Sequence, residues 1–433
     1  MLEPLILIGK CSSVDGCNSG MISRWLIHLN SSVFLTHIPS RDFVRRAMFL
    51  VCSAIPKLVS SLLPDAKKNR LQLCGSSQTG FHDRRLRRVR DLSSADTRIY
   101  LEIEIRRMVC RSCGNVKRER LNFLADNPLY TKRFSFYVGR RCRNETVKDV
   151  ARDLHLDWHA VKELDKQYMR AQLARVGTTA PKVIGIDEIS IGRKPVTFRI
   201  VVSDLIRRRP IWFGGQDRTE ASMAEFYDWL GPKKSAGIRL AVMDMWKPFY
   251  NVATDKAPQA AILYDKFHVI RHLNDALDKV RRTEYARLTG NNRRFIKGQK
   301  YTLLSHRENL SMNGRRSLKI LLAANKRLNT AYLLKESFGQ LWDYQSEAWA
   351  RKFFEHWRAS LKWQRLKPFE KFAEMIGRHW DGIASYCKPE NKVALGFVEG
   401  FNNKIRVIQR RSYGLRDEEY LRLKVMTCML PIL

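Results

Sequence analysis

The sequence lacks any hydrophobic run long enough to cross a membrane. Its longest apolar run, Ala47–Ile55, falls well short of the roughly 20 residues that a transmembrane helix needs. Leu5–Ile8 follows an acidic residue and a proline, not a basic segment, so we do not expect a signal peptide. No basic amphipathic helix with an uninterrupted apolar face stands out, and we therefore expect no membrane partner.

Acidic residues are scarce as well. Asp and Glu together number 43 against 79 Lys and Arg, which gives a formal net charge of +36. Such an excess of one sign repels itself in a compact chain and indicates a polyanionic partner, most simply nucleic acid.

Cysteines are few and do not form a paired pattern. There are nine of them, an odd number scattered over a long chain, so we do not expect a disulfide framework. The sequence contains no internal repeat and no low-complexity tract. With 433 residues, of which 44% are hydrophobic, the chain is predicted to be globular and long enough for about two to four domains. We expect a cytoplasmic protein with reduced thiols.

A small zinc-finger-like module is predicted at residues 71–123, after an atypical segment, residues 1–70, that shows no clear periodicity. Residues 99–105 alternate as in a strand. Beyond them, Cys110 and Cys113 form a CxxC pair followed by glycine, which is half of a tetrahedral zinc site. Cys74, also followed by glycine, resembles the end of a second pair, but Leu71 stands at its first position.

The zinc site predicted in this way is one ligand short. Cys74, Cys110 and Cys113 supply three ligands, and either His82 or Cys52 could supply the fourth. The alternative is a degenerate finger that binds no zinc and is held by its small core.

A helix-turn-helix is predicted within residues 130–176. Two stripes at helical spacing indicate two short helices separated by a turn, Val147, Val150 and Leu154 in the first and Val161, Leu164 and Tyr168 in the second. Asn144 or Thr146 is suited to cap the first helix and Asp157 the second. Because the surroundings are basic, we favour a DNA-binding module over an ordinary helical hairpin. Its candidate DNA contacts are Lys148, His159, Lys162 and Lys166.

From about residue 180 the pattern predicts an α/β domain with a mixed sheet. Three strands come in succession, and two more alternate with helices near residues 220–230 and 246–253. The strand candidates are Val183–Asp187, Val196–Asp204, Pro210–Gly214, Ile238–Asp244 and Ala260–Asp265. Residues 271–390 are then predicted to be helical, and we assign their aromatic residues to the core, not to a base-stacking surface. These aromatic residues are Trp342, Trp349, Phe353 and Trp357.

Acidic residues at strand ends suggest a metal site. Asp187 and Asp244 follow two apolar strands, and neighbouring strand ends lie close in space. Glu399 is the candidate third acid, on a helix that also carries the candidate DNA contacts Asn402, Asn403, Arg406, Arg410 and Arg411. One helix would thus present a metal ligand beside phosphate-binding groups.

Position at a strand end does not by itself distinguish these acids from others. Asp204 and Asp265 also end apolar runs, and a lone aspartate at a strand end is commonly a turn former or a cap. Asp265 and His268 form a rival constellation, to which we assign a structural or phosphate-contacting role.

At these residues the sequence resembles the ISL-three group of bacterial insertion-sequence transposases, which have a DDE catalytic core. The resemblance runs from about residue 70 to the C-terminus. Four motifs in order carry it: "IGIDEISI" (184–191), "AVMDMWKPF" (241–249), "AILYDKFHVIRHLNDALDKVR" (261–281) and "GFVEGFNNKIRVIQRRSYGLRD" (396–417).

The resemblance implies a ribonuclease-H-like core at residues 180–270 and 391–420, with a helical insertion at 271–390. It implies that Asp187, Asp244 and Glu399 are the catalytic acids and hold two Mg²⁺ ions. It also implies a four-cysteine zinc finger, from which Leu71 departs, and a helix-turn-helix. The expected activity is cleavage and strand transfer at terminal inverted repeats by a nucleoid-associated homodimer or larger oligomer.

Two other functions are weighed. A tyrosine recombinase would use Tyr413, which lies beside arginines, but no suitable set of His and Arg accompanies it. A non-catalytic DNA-binding regulator derived from a transposase would keep the helix-turn-helix and the charge without needing the acids. The presence of all three acids favours the enzyme.

Overall fold

The computed structural model describes residues 82–110, 113–119, 121–191, 197–393, 396–412, 415 and 417–432, and the backbone alone of 43–50, 57–64, 69–70 and 77–78. The chain divides into two compact units. One comprises residues 1–141 with 163–167, and the other residues 142–162 with 168–433.

The first unit contains a five-stranded sheet of order β1-β2-β6-β5, with β7 also paired to β6, and a separate two-stranded sheet of β3 and β4. Its elements are β1 (Phe43–Leu50), β2 (Lys57–Pro64), β3 (Asn69–Arg70), β4 (Ser77–Gln78), β5 (Asp83–Arg90), β6 (Arg98–Val109), β7 (Val116–Arg118) and helix α1 (Lys132–Arg141).

The alternation predicted for residues 99–105 is confirmed in β6. Leu101, Ile103 and Ile105 are buried together with Val89 of β5. The intervening Glu102 faces the other side, where Arg88 of β5 donates to it at 2.8 Å. One face of this two-strand pair is therefore apolar core and the other is a charged surface.

The two predicted helices follow along the chain, and residues 163–167 of the second one belong to the first unit. They are α2 (Val147–Leu154) and α3 (Trp158–Val176). Thr146 caps α2 by accepting from the Asp149 N–H, and Asp157 caps α3 by accepting from the N–H of His159 and Ala160. Between the helices His155 adopts a left-handed conformation with φ of 51°, which ends α2. The two predicted helices and their caps at Thr146 and Asp157 are confirmed.

The second sheet has five strands in the order β10-β9-β8-β11-β12. β8 pairs antiparallel with β9, and β9 with β10, whereas β8, β11 and β12 are parallel. All five predicted strands and both helices are confirmed. They are β8 (Val183–Ile191), β9 (Thr197–Asp204), β10 (Arg209–Gly214), α4 (Glu220–Leu230), β11 (Leu240–Met243), α6 (Lys247–Lys256) and β12 (Ala261–Tyr264). A short helix that was not predicted, α5 (Pro232–Ser235), follows α4.

Residues 266–391 are helical, as predicted. The helices are α7 (Lys266–Arg287), α8 (Gly290–Gly298), α9 (Lys300–Leu304), α10 (Met312–Ala324), α11 (Lys326–Phe338), α12 (Glu347–Ser360), α13 (Lys367–Arg378) and α14 (Trp380–Ala384). Trp342 and Trp357 are buried and Phe353 is partly buried, but Trp349 is 61% exposed. The assignment of Trp349 to the core is wrong, because α12 turns Ala350, Phe354 and Trp357 inward and leaves Trp349 on the adjoining face.

The last two helices are α15 (Gly396–Arg411) and α16 (Glu418–Thr427). Val398 of α15 packs in a cluster with residues of β8, β11 and β12. Phe401 and Ile405 pack with residues of β8, β9 and β10 and with α16. α15 therefore crosses one face of the sheet. In the part of the chain that the structure describes, every helix is too short or too polar to span a lipid bilayer.

Candidate active site

Asp187 projects from β8 toward helix α15. Side chains alternate along a strand, and the neighbours Ile184 and Ile186 belong to the large core on the face opposite α15. Val183 and Ile189, which share the parity of Asp187, pack instead with α15. Asp187 is thus placed on the α15 face.

Gly185 allows α15 to approach this strand closely. A Cβ atom at this position would lie 3.3 Å from the Val398 Cγ2 atom and 2.9 Å from the Leu205 Cδ2 atom. A larger residue would push the helix away from the strand that carries Asp187.

Strand register brings Asp244 beside Asp187. β11 and β8 are parallel, with Leu240 opposite Val183 and Val242 opposite Gly185. Extending this register by two residues sets Asp244 against Asp187. Asp244 also has the parity of Leu240 and Val242, which pack on the α15 face. The two predicted acids therefore converge on adjacent parallel strands. Asp244 follows the end of β11, as expected. The expectation that Asp187 ends its strand is wrong, because β8 continues to Ile191 through its pairing with β9.

The same register adds Asp265 to this row. Met243 lies opposite Tyr264 in the parallel pair β11 and β12, and the Asp265 N–H donates to the Met243 carbonyl at 2.8 Å. Three aspartates, Asp187, Asp244 and Asp265, thus stand at one level across three neighbouring strands.

The acids are half-buried, and their environment disfavours their charge. Burial raises the pKa of Asp187, against which the hydrogen bonds from the Glu188 N–H and Asn402 act. Burial also raises the pKa of Asp244, which the nearby charge of His268 lowers and that of Asp187 raises further. A cluster of this kind needs compensating positive charge.

Asn402 ties α15 to Asp187. Its side-chain amide donates to Asp187 Oδ2, while Asp187 Oδ1 accepts from the Glu188 N–H at 2.8 Å. Glu399 lies one helical turn before Asn402 on the same side of α15 and is exposed. Among the described residues, no three His, Cys, Asp or Glu side chains are already grouped as metal ligands. The structure thus brings Asp187 and Asp244 together and leaves Glu399 one turn away, in solvent.

The remaining polar residues predicted on α15 are less uniform in placement. Asn403, Arg406 and Arg410 are exposed, and Arg406 donates to Asn403 Oδ1 at 3.3 Å. Arg411 instead donates to the carbonyl of Arg143 at 2.6 Å, so it supports the protein's own backbone.

The oxygen atoms at this place fit a divalent cation. Asp244 Oδ1 and Asn402 Oδ1 are buried, and neither has a hydrogen-bond partner among the residues that the structure describes. A buried acceptor without a partner is costly. Carboxylate and amide oxygens are the hard ligands that Mg²⁺ and similar ions take.

His268 supplies positive charge next to the acids. Its Nδ1 atom lies 3.5 Å from Asp265 Oδ2. The pKa of His268 is raised, first by the adjacent carboxylate of Asp265 and then by the charges of Asp187 and Asp244, against the effect of burial. Asp265 also caps α7 by accepting from the Phe267 N–H at 2.8 Å, which gives it the structural role expected from sequence. Its position in the acidic row was not expected.

Asp204 serves the fold, not this site. It is fully buried. It accepts from the N–H groups of Ile206 and Arg207 at 3.0 and 2.9 Å, and from the Arg207 guanidinium at 2.7 Å. This aspartate is the turn former that the sequence could not distinguish from a metal ligand.

Sequence reasoning missed a cluster on the opposite face, next to Asp187. Glu188 forms an ion pair with Arg218, whose guanidinium lies 4.4 Å from the Trp246 ring centroid and 5.2 Å from that of Phe198. The Trp246 indole N–H donates to the Arg218 carbonyl at 2.8 Å. The adjacent acids Asp187 and Glu188 were the available signal, because neighbouring residues of a strand must serve opposite faces.

The helix-turn-helix candidates separate into two pairs. Lys148 on α2 and His159 on α3 are exposed. Lys162 pairs with Asp417 at 2.7 Å and lies over the ring of Tyr420 in the same unit. Lys166 is buried, 3.6 Å from Glu163. Lys148 and His159 are therefore accessible to DNA. The placement of Lys162 and Lys166 does not fit that role, because each lies next to an acidic residue of the protein itself.

The described part of the zinc-finger-like module contains two of the three predicted cysteines. Cys110 is buried and Cys113 is exposed. They flank a turn in which the Gly114 N–H donates to the Cys110 carbonyl at 2.7 Å, and Gly114 has φ of 66°. His82 is exposed. Cys74, Cys52 and Leu71, and also Tyr413 of the recombinase alternative, lie outside the described residues.

The chain is strongly basic, and a helix-turn-helix precedes a sheet that carries a row of carboxylates. This combination is typical of enzymes that cleave and transfer DNA strands. Sequence comparisons identify the family. A family model described as "Transposase" matches residues 184–425, and the zinc finger of transposases IS204/IS1001/IS1096/IS1165 matches residues 73–113. The helix-turn-helix domain of transposase family ISL3 matches residues 119–169. The chain belongs to the ISL3 family of DDE transposases, and a zinc ribbon and a helix-turn-helix precede its transposase domain.

Characterised relatives agree along most of the chain. The transposase for insertion sequence element IS1001 of Bordetella parapertussis is 33% identical over 367 residues, which cover 84% of this chain and 89% of that protein. The transposase for insertion sequence element IS1557 of Mycobacterium tuberculosis is 26% identical over 383 residues, covering 81% and 84% respectively. The expected family, the DNA-cleaving activity and the DNA partner are thereby confirmed. A DDE domain also implies dependence on a divalent metal.

Proposed function

We propose that this transposase cleaves DNA at the terminal inverted repeats of its element and joins the ends to target DNA, with Asp187, Asp244 and Glu399 as its catalytic acids. The observation that carries this proposal is the register of two adjacent parallel strands, which sets Asp187 and Asp244 at one level. Helix α15 is bonded to the first of them through Asn402.

The strand order supports a ribonuclease-H-like core. Three antiparallel strands followed by two parallel ones, in the order β10-β9-β8-β11-β12, place the ends of β8 and β11 in the middle of the sheet. α15 then covers the face onto which both acids project. This core would comprise residues 180–270 and 391–420, with residues 271–390 as the insertion.

Two Mg²⁺ ions are the proposed metal. Asp187 and Asp244 would hold them with Glu399, and the unpartnered oxygens of Asp244 and Asn402 mark the place. When bound, such ions polarise water and stabilise charge on the leaving oxygen. Glu399 must turn inward from its exposed position. A glutamate at a helix surface has the rotamer freedom to do so, and the repulsion it would meet among the acids falls once cations are present.

The remaining residues of the site orient the groups that react. Asn402 fixes the carboxylate of Asp187, and His268 offsets the negative charge of the row in the absence of a cation. Asn403, Arg406 and Arg410 are exposed along α15, where they can bind the phosphates of the DNA end. Attack of water on the end phosphodiester breaks the bond to the 3′ oxygen. The released 3′-OH then attacks a target phosphodiester, which forms a new phosphodiester bond, breaks the target's own bond and releases the target strand's 3′-OH, without a covalent protein intermediate.

DNA recognition is assigned to the N-terminal modules. Lys148 and His159 are proposed to contact the inverted repeats, and the zinc ribbon, residues 71–123, to hold Zn²⁺ through Cys74, Cys110 and Cys113. Because two ends must be joined, we propose a homodimer or larger assembly on genomic DNA at the nucleoid. Replacing Cys110 by serine should lower the zinc content per chain, measured by elemental analysis, and an unchanged content would contradict the ligand set.

The catalytic assignment is tested with isosteric substitutions. Asp187→Asn, Asp244→Asn and Glu399→Gln should each lower Mg²⁺-dependent cleavage of the element's end duplex about 100-fold or more, with DNA binding retained. Glu374→Gln, at an exposed glutamate of α13, is the matched control and should cleave normally. If Glu399→Gln cleaves at the wild-type rate, Glu399 is not the third acid.

A further inference from the structure

An exposed tryptophan stands beside the catalytic row. Trp246 follows Asp244 by two residues, in the connection between β11 and α6, and is 38% exposed. Tyr250, one turn further along α6, is 39% exposed. Both side chains keep part of their ring surface in solvent, close in sequence to the proposed phosphoryl-transfer site.

The indole of Trp246 is held in one orientation. Its N–H donates to the Arg218 carbonyl at 2.8 Å, and the Arg218 guanidinium lies over the ring, 4.4 Å from its centroid. Arg218 is itself fixed by its ion pair with Glu188 and by the ring of Phe198. The tryptophan is therefore rigid, covered by a cation on one face and accessible elsewhere.

This arrangement differs from the buried aromatic cluster of the helical region. In the helical region, Phe338, Trp357 and Phe372 pack against one another with centroids 4.9 to 6.0 Å apart, and all three are buried. Trp246 gains no such burial. A rigid aromatic face backed by an arginine and set in a basic protein matches the chemistry that stacks on a nucleobase.

We propose that Trp246 is a stacking platform for one nucleobase next to the scissile phosphate. The base leaves the duplex and lies on the open face of the indole while Asp187 and Asp244 engage the phosphate. This inference rests on the proposed function, because it takes the acidic row as the place of cleavage. Extruding a base costs free energy, and stacking on Trp246 offsets that cost. The Glu188–Arg218 pair keeps the ring in position.

Photocrosslinking tests the contact without requiring cleavage. End duplexes carrying 5-iodouracil at single positions, within about three nucleotides of the cleaved bond, are irradiated with the full-length protein in Ca²⁺, and the adducts are mapped by mass spectrometry. We expect one position to crosslink to Trp246 and to lose this adduct in Trp246→Ala. The control Trp363→Ala, at a tryptophan that is 80% exposed in the helical region, should keep it. Adducts that map only elsewhere would overturn the proposal.

Cleavage kinetics test the role. Trp246→Ala should slow cleavage of the paired duplex about 10- to 100-fold, and Trp246→Phe, which keeps a stacking face, should stay within about threefold of wild type. A mismatch at the crosslinked position should restore most of the rate of Trp246→Ala, because the base is then already unpaired. Equal loss in both variants, with no rescue by any mismatch, would assign Trp246 to holding Arg218 and refute stacking. If the wild-type protein does not cleave the end duplex, the proposed function is wrong. The crosslink to Trp246 then remains as the test of base stacking.

Discussion

Asp187 and Glu188 are neighbours in sequence, but their side chains lie on opposite faces of the sheet and have different partners. Asp187 faces α15 and Asn402, whereas Glu188 turns to the opposite face and pairs with Arg218. Burial raises the pKa of Glu188, against which the charge of Arg218 acts. One dipeptide thus supplies a candidate metal ligand and the anchor of the Trp246 platform.

Replacing Asn402 should lower the cleavage rate more than replacing its neighbour Asn403. Asn402→Ala removes the donor that orients Asp187 and should lower cleavage about 10- to 100-fold, the usual effect of losing a group that orients a metal ligand. Asn403→Ala, at the exposed adjacent position, is the control and should cost less. Both are measured as initial rates on the end duplex. Equal rates for the two variants would show that the bond to Asp187 is unimportant.

Asp204 should behave as a structural aspartate. Asp204→Ala leaves two backbone N–H groups without their acceptor and an arginine without its partner in a buried turn, and should lower the free energy of unfolding by about 2–4 kcal/mol. Cleavage per folded molecule should not change. Urea denaturation and an active-site-normalised rate separate the two effects, and a stable but inactive variant would contradict the assignment.

At the residue scale, the sequence pattern could place Asp187 and Asp244 among the candidate acids, but it could not exclude Asp204. The distinction depends on which strands lie side by side, and that order does not follow from periodicity. Asp265 lies level with Asp187 and Asp244 only because β12 is the neighbour of β11 in the sheet. Arg218 lies 30 residues after Glu188 in sequence, so no local pattern connects them.

Among the elements, α16 engages the second helix of the helix-turn-helix. Asp417 pairs with Lys162 and Glu419 with Arg170. Gln172 donates to the Pro431 carbonyl at 2.8 Å. Lys162, Arg170 and Gln172 of α3 are thus bonded to the C-terminal segment, while His159 in the first turn of α3 stays exposed.

DNA binding should separate the exposed lysine from the paired one. Lys148→Ala should weaken binding of the end duplex and reduce the slope of log K against log salt by about 1, as expected for one lost phosphate contact. Lys162→Ala should leave that slope unchanged, because its charge is already paired with Asp417. Fluorescence anisotropy at several salt concentrations measures both. A reduced slope for Lys162→Ala would return this lysine to the DNA interface.

Helix α7 carries a pH-dependent contact. Burial acts to raise the pKa of Asp278, but the hydrogen bonds and charges of Arg281 and Arg282 outweigh it and set the pKa below the ordinary 3.8. A lowered folded-state pKa stabilises the fold above the unfolded pKa, and this stabilisation is lost as pH falls through the folded value. Asp278→Asn should therefore be less stable than wild type at pH 7, and the difference should shrink below about pH 4. Urea midpoints across this range test it, and a constant difference would contradict it.

Element identities were largely predictable because hydrophobic periodicity sets them. The five strands of the second sheet and the caps at Thr146 and Asp157 follow from local pattern. The buried face of α12 could not be predicted from the sequence. Its four aromatic residues Trp349, Phe353, Phe354 and Trp357 are spread around too much of the helix to show which side is buried. Trp349 was misassigned for that reason.

For the whole molecule, the order of the sheet creates the site. β11 does not pair with β10, the strand before it in sequence, but lies beside β8 on the other side of the antiparallel strands, and this non-consecutive pairing sets Asp244 against Asp187. α15 returns to the same sheet only after the helical region. A sequence carries no direct signal for such long-range pairing, so only the resemblance to a known family could assign Glu399 to the same site.

Local cleavage of the protein by iron tests the proposed convergence most directly. Fe²⁺ bound in place of Mg²⁺, with ascorbate and peroxide, produces radicals that cut the nearest backbone, and mass spectrometry maps the cuts. Our account predicts cuts near Asp187, Asp244 and Glu399, suppressed by excess Mg²⁺ and by Asp187→Asn. Cuts near the two aspartates with none near Glu399, or cuts that Mg²⁺ does not suppress, would contradict a single cation site built from these three acids.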